Sequence, residues 1–300
     1  MENPINKFLL KILLFVLPVL VFFEVLFRLG FSPIVTDSTL FDIKMLTVQK
    51  RHIKDIKLLS MGSSINLYEL DSKIMVQNFD IPYYNFASWS LQIADMKRLL
   101  TDLVKTNKPK YVIICSSFPD FILPPNNSYL GYINANNFIK HDLPELFYFK
   151  NYYSIHQIVW RKFHTYPLML DDWGGASLSA KNINKDKWDE HDIFPTKYTL
   201  ANYGALDSLS AFLNKQNIKF IFVQVPIKKS YTNTDTSKQI IQSHFDKCKS
   251  IVERQGGIYL NYYNTSIFTD SLFIDQYHLQ DAGAVILTKE IVSDLKKIVN

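Results

Sequence analysis

Between Phe8 and Phe31 the chain is almost wholly apolar, and Lys11, Glu24 and Arg28 are its only charges. At ~1.5 Å rise per residue such a run covers a hydrocarbon core of ~30 Å. This feature constrains the fold most, because residues 1–32 then form a membrane anchor and leave 33–300 to build a water-exposed domain. Pro18 and Gly30 are tolerated in a span of this kind. Lys7 and Lys11 sit on the N-terminal side. Positive charge there predicts a single-pass topology with the N-terminus cytoplasmic and the rest of the chain extracytoplasmic. A cleaved signal peptide is the alternative. Its apolar region would be shorter, and Phe31-Ser32-Pro33-Ile34-Val35 offers no small-x-small cleavage site.

Beyond residue 33, apolar runs of strand length alternate with helical patterns. After a polar connection with a short helix over 33–55, strands are expected at 56–60, 81–87, 109–117, 219–225 and 257–260. Helices are expected at 65–75, 93–105, 203–216, 236–254 and 281–299. Strands separated by helices argue for a parallel sheet covered on both faces, with functional residues at the carboxyl ends of the strands. The 47% hydrophobic content is ample for one such core. A net charge of +5 without a dense Lys/Arg run argues against nucleic acid as a partner. Cys115 lies in an apolar strand and Cys248 far from it, which reads as core packing rather than a disulfide.

Two short blocks carry the chemistry. Leu58-Leu59-Ser60-Met61-Gly62-Ser63-Ser64 reads as a buried strand ending in a Gly turn that delivers Ser64 to the start of a helix. Free N–H groups there favour developing negative charge. A pair of serines at such a turn also suits a plain helix cap. Near the other end stands Asp275-Gln276-Tyr277-His278. An acid three residues before a histidine can hold one ring nitrogen and leave the other to a nucleophile, as in a Ser-His-Asp triad.

Together the blocks resemble the SGNH (GDSL-like) hydrolases, including the run His278-Leu279-Gln280-Asp281-Ala282-Gly283-Ala284. The resemblance implies a three-layer α/β fold. It puts the nucleophile at Ser64, with Ser63 where the family has an acid, and the other triad members at His278 and Asp275. The family's second block, Asn-x-x-x-x-Gly, counted from Asn85, places Ser90 at the glycine whose backbone N–H serves the oxyanion hole. The family's third strand ends in an Asn that also donates there. Here Ser116-Ser117-Phe118-Pro119-Asp120 has none, and Ser116 or Ser117 is the expected substitute. One lost donor of this kind costs ~10²–10³ in rate.

The chain resembles most the membrane-anchored members that act on cell-envelope polymers. That resemblance implies O-acylation, with acetyl or a similar group, of a polysaccharide or wall polymer. An acylated donor, a polymer acceptor and a multi-span membrane partner that hands acyl groups across the bilayer would then be needed. An esterase or deacetylase uses the same triad, and a non-catalytic envelope module could keep the same fold. No cofactor is implied. Residues 121–200 break the alternation and read as an aromatic-rich insertion or cap over the site. Trp173 and Trp188 stand in its loop-like stretches and are candidates for substrate contact. His156, His164 and His191, with their neighbouring acids, match no metal-ligand spacing, so no metal is expected.

Overall fold

A computed structural model of the chain describes residues 4–28, 38–122, 170–179, 202–263 and 265–299. Most of the expected insertion, including Trp188 and the three histidines at 156, 164 and 191, lies outside the described residues. The chain divides into two compact units, residues 1–47 with 128–166, and residues 48–127 with 167–300.

In the first unit, helix α1 spans Pro4–Arg28. Its stretch Pro4–Phe22 is long and apolar enough to cross a membrane, and none of it is buried in protein. A signal sequence would pass the same test. Helix α2 (Thr39–Lys50) follows.

The second unit is an α/β sandwich. Its elements in order are β1 (Leu58–Ser60), α3 (Ser64–Glu69), α4 (Ser72–Asn78), β2 (Tyr83–Asn85), α5 (Ile93–Asn107), β3 (Tyr111–Ser116) and α6 (Pro119–Ile122). After the second gap come α7 (Tyr203–Lys215), β4 (Lys219–Gln224), α8 (Asp235–Arg254), β5 (Ile258–Asn261) and α9 (Asp281–Leu295). The five strands pair in parallel in the order β2-β1-β3-β4-β5. The inner strands β3 and β4 are buried from Val112 to Ser116 and from Phe220 to Gln224, which is why they read as unbroken apolar runs. One helical layer packs α9 against α3 and α4; the other packs α7 against α5 and α8. This is the expected three-layer fold.

The chain leaves β1 for one sheet edge, then returns to place β3 on the other side of β1. That reversal opens a crevice at the carboxyl ends of β1 and β3, the usual ligand position in open parallel sheets. Both strands end at the site described below.

One expected element is two. The single helix read over 65–75 breaks at Leu70, which takes an extended backbone, and Asp71 starts α4 by accepting from the Ile74 N–H at 3.0 Å. The Asp71 N–H donates to the Thr288 hydroxyl at 2.9 Å, so the break is fixed by α9, distant in sequence.

Candidate active site

Gly62 ends β1 with almost no room beside it. A Cβ there would lie 2.3 Å from the Asn66 Cβ and 3.2 Å from the Cys115 carbonyl oxygen. The close approach brings helix α3 hard against the ends of the strands. Ser63 caps this helix, its Oγ accepting from the Ile65 N–H at 3.2 Å. Ser64 is the first helical residue and is half-buried, with its side chain free to face the loop before α9.

That loop carries Asp275 and His278. The His278 Nε2 lies 2.9 Å from the Ser64 Oγ, and the His278 Nδ1 lies 2.7 Å from the Asp275 Oδ2. The other carboxylate oxygen, Oδ1, accepts from the backbone N–H groups of Tyr277 (2.8 Å) and His278 (2.7 Å). Burial by itself would raise the Asp275 carboxyl. The hydrogen bond and charge of His278 and the two N–H donors outweigh it and hold the group below its ordinary value. An ionised Asp275 makes Nδ1 the protonated nitrogen and leaves Nε2 to accept from Ser64. Tyr68 stands edge-on to the imidazole with ring centroids 6.1 Å apart, and its hydroxyl accepts from the Trp89 indole N–H at 2.7 Å. Tyr68 also walls a cavity of about 420 Å³ whose lining includes Asp71, Asp171 and Asp281.

The loop after β2 is tied to the turn before Ser64 by the Ser88 N–H, which donates to the Gly62 carbonyl at 2.9 Å. Two residues on, Ser90 is exposed and has φ of +56°, the left-handed region that glycine fills most easily. This is the backbone that the glycine of the resembling block would favour, and it leaves a main-chain N–H as the group Ser90 can offer. Replacing Ser90 by Gly should therefore preserve the fold and raise stability by ~1 kcal/mol or less, whereas Ser90→Val should lower it by ~1 kcal/mol or more. Thermal melts of the two variants in opposite directions check this; equal shifts would contradict it.

The structure corrects the expectation for Ser116 and Ser117. Both are fully buried, and the Ser116 hydroxyl donates to the Asp120 Oδ2 at 2.7 Å. The Ser117 N–H reaches the same oxygen at 3.4 Å. Trp173 is also placed differently from a substrate-contact loop residue. It is half-buried against the main core cluster, and its carbonyl accepts from the Asn85 N–H at 2.8 Å. Gly174 beside it, at φ +82°, has no space for a side chain against the Asn85 carbonyl and the Tyr84 ring. The segment is part of the packing around β2.

Three residues that the sequence reading passed over shape the site. Asn66 is fully buried. Its Nδ2 donates to the Ser60 Oγ (2.7 Å) and the Asn85 Oδ1 (3.2 Å), and its Oδ1 accepts from the Cys115 N–H (2.8 Å). One side chain thus ties the helix of Ser64 to the ends of β1, β2 and β3. Glu69, at the other end of α3, is fully buried. Burial pushes its carboxyl well above the usual range, and the charges of Asp275 and Asp120 add to it.

Asp120 is the third. It is almost fully buried, and burial raises its carboxyl to about 6, against hydrogen bonds from Ser116 and Ser117 and the charge of His278. The folded value lies above the ordinary 3.8, so the folded chain holds this proton more tightly than the unfolded one. Its contribution to stability is full below pH ~4 and is lost as the pH rises through ~6, a change of ~3 kcal/mol. Asp120→Asn has no such ionisation. Between pH 4 and pH 8 its stability relative to the parent chain should therefore improve by ~3 kcal/mol, as read by denaturant unfolding at both pH values. A difference independent of pH would contradict the assignment.

No protein-family model matches the sequence, and no curated protein matches it. Similar solved structures include an α/β hydrolase enzyme from the metagenome of Lake Arreo, Spain. It is 13% identical, with 82% of this chain and 97% of that one covered, at a TM-score of 0.46. A lipase/acylhydrolase from Enterococcus faecalis is 12% identical over 82% of this chain and 98% of its own, at 0.45. A catalytic mutant of an acetylxylan esterase from Geobacillus stearothermophilus is 13% identical over 81% and 94%, at 0.42.

Proposed function

We propose that the protein is an SGNH-like serine enzyme that transfers acyl groups through Ser64, His278 and Asp275. The hydrogen-bonded row from Ser64 Oγ to His278 Nε2 and from His278 Nδ1 to Asp275 Oδ2, at 2.9 and 2.7 Å, carries this reading. Ser64 Oγ attacks an ester carbonyl as its proton passes to Nε2, and Asp275 holds the imidazolium that forms. Backbone N–H groups at Ser64 and Ser90 receive the oxyanion. His278 then protonates the departing alcohol, and an acyl-Ser64 ester remains. A second hydroxyl, from water or a sugar, gives its proton to His278, attacks this ester and frees Ser64.

The choice between these acceptors belongs to the same proposal. The apolar helix α1 supports a membrane-anchored enzyme with its catalytic unit outside the cytoplasm, and hence an envelope polysaccharide or wall polymer as acceptor. The acyl group, acetyl in our reading, would come from a membrane partner, because thioester donors remain inside the cell. Plain esterase or deacetylase action is the alternative within the same chemistry. A non-catalytic envelope module is the alternative outside it, and the full burial of Ser116 and Ser117, with the Ser116 hydroxyl given to Asp120, is the observation in its favour.

Turnover of p-nitrophenyl acetate with and without a polysaccharide acceptor tests the reading. Slow release that quickens with acceptor, absent in Ser64→Ala, is the expected result. Rapid hydrolysis indifferent to acceptor makes the protein an esterase, and no acyl-enzyme with any ester makes it a module. Protease added to spheroplasts should digest residues beyond about 32; protection would reverse the proposed orientation.

A further inference from the structure

We infer that Trp89 is a positioning residue for the oxyanion site: its indole N–H, bonded to Tyr68 on the helix of Ser64, fixes the peptide that presents the Ser90 N–H. The inference rests on the reading of Ser64 as nucleophile and of Ser90 as an oxyanion donor.

The backbone after β2 runs beside the end of β1 as far as Ser88. The Phe86 N–H donates to the Ser60 carbonyl at 2.7 Å, and the Ser88 N–H to the Gly62 carbonyl at 2.9 Å. Beyond Ser88 the chain turns, and the Leu91 N–H donates back to the Ser88 carbonyl at 3.3 Å. Ser90 lies inside this turn, exposed and left-handed at φ +56°. An exposed residue has little packing of its own to hold its N–H in one direction. The planar peptide that carries this N–H begins at the Cα of Trp89, so whatever holds Trp89 aims the Ser90 N–H.

Trp89 is half-buried, and its Nε1–H donates to the Tyr68 hydroxyl at 2.7 Å. An indole has a single donor and no acceptor, so this bond sets the rotation of the ring as well as its place. The accepting end is rigid. Tyr68 is buried in α3 four residues after Ser64, one turn along the same face. Its ring meets the His278 imidazole edge-on, with centroids 6.1 Å apart. On the other flank the Ser90 carbonyl accepts from the Nε2 of buried Gln92 at 3.4 Å. Ser90 is therefore held from both sides, and Trp89 ties it to the same helix that positions Ser64. Such a tie matters for an oxyanion donor, which works best when it is aimed before the charge forms.

A double-mutant cycle decides the point, read by p-nitrophenyl acetate turnover and by inhibition with trifluoroacetone. Ser64 Oγ adds to the ketone carbon and its proton passes to His278 Nε2, so the former carbonyl oxygen becomes an oxyanion in the site. Trp89→Phe keeps a ring but loses the N–H. It should lower kcat about tenfold with KM nearly unchanged, less than the ~10²–10³ of a deleted donor because the Ser90 N–H remains and is only badly aimed. Affinity for trifluoroacetone should fall by a similar factor. Tyr68→Phe keeps the ring beside His278 and should reproduce both losses. The double variant should be no worse than the poorer single one, since both break one bond. The acid limb of kcat/KM should stay where the parent chain has it, because neither variant changes a group that touches Nε2 or Nδ1 of His278. Should one variant fail to fold in a thermal melt, the other decides through the same readouts. Values of kcat and trifluoroacetone affinity within twofold of the parent chain in a folded variant, losses that multiply in the double variant, or a loss confined to KM would overturn the inference alone. A parent chain that neither turns over the ester nor binds trifluoroacetone would overturn the nucleophile reading and this inference with it.

Discussion

Asp275→Asn should lower kcat/KM by ~10⁴ without unfolding the protein, a loss of the size known for replacing a triad carboxylate by its amide. The geometry gives the reason. The Asp275 Oδ1 takes two backbone N–H donors, from Tyr277 and His278, and only an oxygen can occupy that place. An amide at position 275 must keep its oxygen there and turn its NH₂ toward the His278 Nδ1. The imidazole then has to accept at Nδ1 and carry its proton on Nε2, which faces Ser64. A protonated Nε2 cannot receive the serine proton. The loop stays satisfied, so melting should change little while activity is lost. Steady-state kinetics beside a thermal melt check both halves. Activity within tenfold of the parent chain would mean that the row of hydrogen bonds does not perform the chemistry.

Asn66→Ala should have the largest effect on stability. The substitution removes one buried side chain and takes the Asn66 bond from the Ser60 Oγ and the Cys115 N–H, while the Asn85 Oδ1 keeps the Ala87 N–H at 2.9 Å. Each unsatisfied buried group costs ~1–3 kcal/mol, so a loss of ~3 kcal/mol or more is expected. Because Asn66 follows Ser64 by less than one helical turn, the loss should be accompanied by looser placement of the serine. Denaturant unfolding measures the first effect, and probe labelling under native conditions the second. Asn66→Asp tests the direction of the network. It keeps the Oδ1 acceptor for Cys115 but loses the donor to Ser60 and Asn85, and it buries a charge, so it should be at least as harmful. A loss below 1 kcal/mol for Asn66→Ala would show that the three strand ends are held together by other means.

These two sites also mark how far the sequence could be read. Ser64, Asp275 and His278 were legible because each belongs to a short local pattern: a strand, a glycine and a serine in one block, an acid three residues before a histidine in the other. The parallel sheet was legible because the buried inner strands leave unbroken apolar runs between helical ones. Asn66 was not, since its value lies in contacts 19 and 49 residues away that no local spacing records. Asp120 was passed over for a related reason. The search at the end of β3 was for a side-chain donor, and Ser116 and Ser117 were the chemical candidates. The structure turns the Ser116 hydroxyl onto Asp120 instead. The helix break at Leu70 depends on Thr288, 217 positions beyond Asp71. Trp173 looked like a loop aromatic because Gly174-Gly175 follows it, yet that glycine turn exists to lay the segment against β2.

The central claim is that Ser64 is a nucleophile activated by His278, and intact-mass analysis after treatment with a fluorophosphonate probe tests it most directly. The account predicts a single phosphonyl adduct, mapped by peptide sequencing to Ser64, absent from Ser64→Ala and formed far more slowly in His278→Ala. An unlabelled, folded parent chain, or an adduct on another serine that persists in Ser64→Ala, would contradict it.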